Sequence, residues 1–173
     1  MAVKTNAELD AYFNTGDQPS ESNFQDLIDT IQPAHVVMDS ATSLEISVAN
    51  HGFRDLIFDN LTADVTITLP VPVVDTWFHF VFLGEGDVAD THDLKIITKN
   101  QDSEFFRGHI THLDTTADEN VASVNGDGTS HDGIDIKEAA AADVWIRGKS
   151  STVWYVWGTV TGTTVPTIDT TVS

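Results

Sequence analysis

The sequence predicts a mainly β protein, an antiparallel β-sandwich or jelly roll preceded by two short N-terminal α-helices. Three observations carry that reading. Apolar positions recur with helical spacing as far as Ile31 and alternate with polar ones from Leu44 onward. The alternating runs are short and separated by turns containing Gly, Asp and Asn, the pattern of a sandwich or barrel. No strand–helix–strand order follows, which argues against a nucleotide-binding α/β fold.

The first helix is expected over residues 5–14. Thr5-Asn6-Ala7-Glu8 has capping-box spacing, with Leu9, Tyr12 and Phe13 on one face. Gly16 stops it, and Asp17-Gln18-Pro19 makes a turn. Ser20 caps a second helix over 20–32, whose stripe of Phe24, Leu27, Ile28 and Ile31 ends at Pro33. This divides the chain into a helical arm (1–33), a β domain (34–160) and a tail (161–173). The tail reads as a loose terminus or an edge strand that pairs with a neighbour.

Strands are expected at Leu44–Val48, Asp55–Phe58, Val65–Leu69, Trp77–Leu83, Leu94–Thr98, Phe105–Leu113, Val121–Val124, Ile134–Ile136, Val144–Gly148 and Val153–Val160. The run Trp77-Phe-His-Phe-Val-Phe-Leu83 is apolar at nearly every position. Such a strand is buried on both faces, between two sheets or at a subunit interface. Trp77, Phe78, Phe80 and Phe82 are therefore the candidate contacts between subunits.

Composition narrows the function. The chain has 173 residues, enough for one domain, and is 40% hydrophobic with nine Phe and four Trp to build a core. It has no cysteine, which excludes disulfides and thiolate metal sites. The N-terminus has no apolar segment of a secretion signal, and nothing approaches the ~20 apolar residues of a membrane span, so no membrane partner is expected. Asp and Glu number 27 against 8 Lys and Arg, a formal charge of -19, and no basic residues cluster along the chain. Nucleic acid is therefore not an expected partner. The acid excess fits a solvated surface, use in salty water where charges are screened, or docking onto a basic partner.

No nucleophile elbow or phosphate loop appears, so no enzyme, no cofactor and no catalytic residue is expected. Paired carboxylates occur throughout so acidic a chain and do not single out glycosidase chemistry. His109 and His112, three apart in a strand, point to opposite faces and make a poor metal pair. His79 is expected in the core with one hydrogen bond. Asn125–Asp132 has the alternating oxygens of a calcium loop, but Ser130 stands at the sixth place and Ile136 at the twelfth, so no metal is expected. Trp77, Trp145, Trp154 and Trp157 lie in strand patterns that favour packing over a sugar-stacking platform.

Two stretches resemble bacteriophage virion proteins. The segment Lys4-Thr-Asn-Ala-Glu-Leu-Asp-Ala-Tyr-Phe-Asn-Thr-Gly-Asp17-Gln-Pro19-Ser-Glu-Ser-Asn-Phe24-Gln-Asp-Leu-Ile28-Asp is similar to one that opens many tail-fibre and other virion-appendage proteins. Ser20 stands where that pattern commonly has Thr. The hairpin Ala142–Gly158, with Trp145, Gly148 and Trp154, resembles the closing strands of small trimeric jelly rolls on phage fibres and capsids. The resemblance covers the two ends of the chain. It implies a homotrimeric component of a virion assembled in a host cytoplasm, with helices that attach to the particle and a β domain that projects. Phe24, Leu27, Ile28 and Ile31 would then dock on a major capsid or other virion protein. The aromatic strand would bury its second face at the threefold axis. Without heptads or internal repeats for a shaft, a capsid decoration (cement) protein fits better than a tail or head fibre. The alternative is a fibre or host-attachment protein with a head that binds surface glycans.

Overall fold

The computed structural model describes residues 4, 6–12, 18–31, 35–38, 42–83, 91–116 and 121–170, with only the backbone at 6, 7, 25 and 28–31. Thr5, Phe13, Gly16 and Pro33, used above to bound the helices, lie outside the described residues, as do the side chains of Ile28 and Ile31.

The expected helices form as α1 (Asn6–Tyr12) and α2 (Glu21–Ile31). Ser20 starts α2 with reciprocal bonds. Its hydroxyl accepts the Asn23 N–H at 3.3 Å, and Asn23 Oδ1 accepts the Ser20 N–H at 2.8 Å. Tyr12 donates its hydroxyl to Asp26 at 3.1 Å, which ties α1 to α2.

The rest is mainly β, in two sheets. The strands are β1 (Val36–Val37), β2 (Ser43–Glu45), β3 (Asp55–Phe58), β4 (Val65–Thr68), β5 (Trp77–Phe82), β6 (Leu94–Ile97), β7 (Phe105–Asp114), β8 (Val121–Asp127), β9 (Gly133–Ile136), β10 (Ala139–Gly148), β11 (Val153–Gly162) and β12 (Thr167–Asp169). The strand expected at Leu44–Val48 is cut short. Ser47 accepts the Asn50 N–H and caps a single helical turn, α3 (Val48–His51). The tail supplies β12, which pairs with β9 of its own chain.

One sheet has the order β1-β3-β5-β10-β11-β7-β8, the other β12-β9-β6-β4-β2. Up to β6 the chain alternates between them, odd strands entering the first and even strands the second. Each circuit returns in the same direction, so neighbours come out parallel: Val36 beside Leu56 beside Phe80, and Leu44 beside Ile67 beside Ile96. The expected antiparallel jelly roll is corrected on this point, because the crossover through the opposite sheet takes the place of a helix. Antiparallel hairpins, β7–β8 and β10–β11, enter only in the second half, and β11 lies parallel to β7.

The inner faces share one core. Leu56, Phe58, Val144, Ile146, Trp154 and Val156 of the first sheet lie in the same buried cluster as Val65, Ile67, Leu94, Ile96, Ile134 and Ile136 of the second. Strand β5 does alternate. Phe78, Phe80 and Phe82 point inward and are 0%, 1% and 2% exposed, while Trp77, His79 and Val81 stay half-buried on the outer face. The expectation that Phe78, Phe80 and Phe82 contact another subunit is therefore corrected. They belong to the core of their own chain, each stabilising it by roughly 1.5–3 kcal/mol. Trp77 alone of the four faces outward.

Gly148 lets a loop close over the end of the first sheet. A Cβ there would overlap the Val73 carbonyl. The bare backbone instead donates from Gly148 N to Thr76 O at 2.8 Å and accepts from Asp75 N at 3.0 Å. Asp75 takes a left-handed φ of 67°, a conformation Asp tolerates better than most side chains.

Candidate binding face

The outer face of the seven-stranded sheet carries Trp77, Trp145, Tyr155 and Trp157, with Arg107 and Arg147 on its strands and Lys149 just past β10. Strand registers place Asp55, His79, Trp145, Trp157, His109 and Asn125 in one row across six strands. A parallel row two residues along holds Trp77, Arg147, Tyr155, Arg107 and Asp127.

In the first row the rings stack across strands. His79 and Trp145 lie 3.9 Å apart at 14°, and Trp145 and Trp157 lie 6.0 Å apart at 10°. Rings from adjacent strands that meet face to face stand upright on the sheet and turn their edges to solvent. Trp145 is thus flanked by His79 from β5 and by Trp157 from β11. Trp77 leans on Trp145 at 5.1 Å, and Phe53 meets Trp77 edge-on at 6.0 Å. His79, expected in the core, is corrected to this outer face. Its Nδ1 lies 2.8 Å from Asp55 Oδ1 and its Nε2 3.0 Å from Asp143 Oδ1. A neutral ring donates to one of these carboxylates and a protonated ring to both.

The second row ends in a groove. A recess of about 350 Å³ lies between the loop at Val74 and Asp75 on one side and Tyr155 on the other, with Arg147, Gly148 and Lys149 as its floor and rim. Arg147 Nη2 meets Asp75 Oδ1 at 2.5 Å. Tyr155 is 39% exposed and leans on Trp157 at 5.4 Å. Arg107 occupies the β7 position on the far side of Tyr155. The sequence reading found no basic cluster. The fold brings Arg147 and Lys149 onto one recess at the end of β10, while Arg107 of β7 lies outside that lining with its side chain against Gly128.

The remaining singled-out groups have structural roles. His109 is exposed and His112 buried, its Nε2 3.1 Å from Gly162 O, so the two do point apart. Asp127 folds back on its own turn. Oδ1 accepts the N–H groups of Thr129, Ser130 and His131 at 2.8, 2.9 and 3.3 Å, and Oδ2 accepts the Ser130 hydroxyl at 2.6 Å. The Ser130 hydroxyl, then these backbone donors, hold its carboxyl well below the usual carboxylate range. Among the described residues, no group of three His, Asp or Glu side chains is placed to hold a metal ion. On α2, Phe24 is 49% exposed and Leu27 half-buried. The structure does not bring these two together with the aromatic strand in one site.

No known protein family, curated protein or solved structure matches the chain. The outer face thus carries an ordered aromatic row and, beside it, a recess lined by Arg147 and Lys149 in a strongly acidic molecule.

Proposed function

We propose that the chain is a non-enzymatic structural protein of a bacteriophage particle, a homotrimer that decorates and stabilises the capsid shell. The observation that carries this reading is the N-terminal pattern from Leu9 to Asp29, with its Phe-x-Thr-Gly-Asp-x-Pro turn and following apolar stripe. In support, that stripe lies on a capped helix that belongs to neither sheet, and Phe24 on it is half exposed. The helical arm holds the major capsid protein or another virion protein, and the two-sheet body, read as a sandwich, projects from the shell. With Phe78, Phe80 and Phe82 committed inward, self-association uses Leu113 and Val121. These cross-strand neighbours, on β7 and on β8 at the end of the sheet's strand order, are 40% and 69% exposed. Three arms on one rigid body bind a shell more tightly than one, through effective concentration.

Removal of residues 1–33 tests the reading. The truncated chain should remain a folded trimer by sedimentation and circular dichroism, yet no longer cosediment with phage shells. Full shell binding by a stable truncated chain would overturn the arm's role, and a monomeric full-length chain at micromolar concentration would overturn the trimer. The second reading, a host-attachment protein with a glycan-binding head, is favoured by one observation, the recess beside Tyr155. Copy number separates the two: hundreds of copies per particle for a shell protein, a few dozen at most for an appendage.

A further inference from the structure

We infer that the recess between Asp75 and Tyr155 is a binding site for a carboxylate-bearing sugar. This deepens the glycan-binding reading and does not depend on the shell-docking one. Three features of the recess converge on that class of ligand.

Charge comes first. In a chain with 27 acidic and 8 basic residues, most surface positions repel anions. Here Arg147 and Lys149 stand two residues apart, both lining the recess. Arg147 is anchored on Asp75, which fixes its guanidinium plane and leaves further N–H groups of the fork to donate. Lys149 makes no ion pair among the described residues. An unpaired cation in so acidic a surface is available to an outside carboxylate.

The company of those cations selects a sugar over a bare anion. Tyr155 offers a partly exposed ring for the C–H face of a pyranose and a hydroxyl for hydrogen bonding. Asp75, itself 2.5 Å from Arg147, adds a carboxylate that accepts sugar hydroxyls and would only repel a simple anion. Val74 contributes an apolar wall. A recess of about 350 Å³ suits one or two sugar units and lies at the lower end of small-ligand sites. A long polyanion would instead feel the whole molecule's negative field.

The site is also built in advance. The loop that carries Val74 and Asp75 is seated on side-chain-free Gly148 by two backbone hydrogen bonds, and Asp75 holds its φ of 67° there. Non-glycine residues in such conformations gather at ligand sites, where the surrounding structure maintains them. Behind Tyr155 the stacked Trp157, Trp145 and His79 row fixes the sheet surface. The recess lies at the Arg107 end of β7, at the opposite end of that strand from Leu113, so self-association through Leu113 leaves it open.

The full chain is titrated by calorimetry with digalacturonate and with its neutral methyl ester, and in parallel with 3′-sialyllactose and lactose. At least one acidic sugar should bind about tenfold or more tightly than its neutral partner, since charge-assisted bonds supply the difference. Lys149→Gln should weaken that binding about tenfold, and Tyr155→Ala should weaken acidic and neutral sugars alike, both with unchanged thermal unfolding. Equal binding of acidic and neutral forms, no binding of either, or competition by sodium sulfate as effective as by the sugar overturns the inference. Unaltered affinity in Lys149→Gln does the same. Shell cosedimentation, measured on the same variants, should stay intact and so reports the arm's role separately.

Discussion

Replacing Phe80 with Ala separates a core residue from a subunit contact, the two roles the aromatic strand allows. Phe80 is 1% exposed. It stacks on Phe58 at 6.4 Å and 19°, touches Phe78 at 6.5 Å, and lies in register with Leu56 on one side and Val144 on the other. Both neighbouring strands are paired along their length, so the backbone has little freedom to collapse into the space the ring leaves. Truncation should therefore cost the transfer term and most of the cavity term, about 3–5 kcal/mol. Urea unfolding, followed by tryptophan fluorescence at two protein concentrations about fiftyfold apart, measures the loss. A core ring predicts the same loss at both concentrations, whereas an interface ring predicts a loss that grows on dilution. Trp77→Ala is the control. Its ring is half-buried on the outer face against Phe53 and Trp145, and its removal should cost less than that of Phe80. A Phe80→Ala chain as stable as the parent at high concentration, and weakened only as an oligomer dissociates, would refute the inward assignment.

Two further predictions concern acidic groups. Asp135 is 8% exposed, with Oδ1 lacking a hydrogen-bond partner among the described residues. Burial first, then the nearby Asp93, pushes its carboxyl above the ordinary 3.8. A raised carboxyl pKa means that the fold disfavours the charged form, so this penalty is full above the folded pKa and fades as pH falls toward 3.8. Asp135→Asn should accordingly stabilise the chain by about 1 kcal/mol at pH 7 and by progressively less on acidification, read from urea midpoints; a loss of stability at pH 7 would refute this. The Asp127 turn should behave as a self-satisfied loop, so EDTA and added calcium should both leave the thermal midpoint unchanged. A calcium-dependent rise of several degrees would show that the carboxylate opens to a metal.

The division into helices and strands was legible because Phe24 and Leu27 recur at helical spacing while Val65, Ile67 and Leu69 alternate. Partners were not. Alternation tells which face a side chain takes and nothing about which strand lies beside it, so the parallel winding of β1 to β6 left no mark in the pattern. The face assignment of β5 failed for a different reason. Its outward positions are Trp77, His79 and Val81, two of them large and apolar, so the run looked buried throughout. On the binding face, Trp145 and Arg147 could have been paired by their two-residue spacing, as could Tyr155 and Trp157. Arg107 lies forty residues before Arg147 and reaches the same surface only through the parallel pairing of β7 with β11. Asp75 was hidden too, because its place depends on Gly148 admitting the loop.

The hairpin β10–β11 occupies the middle of the seven-stranded sheet, between β5 and β7, although both of those strands precede it in the chain. Until that hairpin arrives, β5 and β7 each present an open row of backbone donors and acceptors, and Phe78, Phe80 and Phe82 have no lid along that side. A ribosome releases those open edges before their cover. Closure is then an insertion between two waiting strands, joining residues as far apart as Asp55, His79 and Trp145 in one row. Contacts of such long sequence separation make folding slow. The interval before insertion is when one chain's hairpin can enter a neighbour's gap, so β10 and β11 govern whether chains fold singly or entangle.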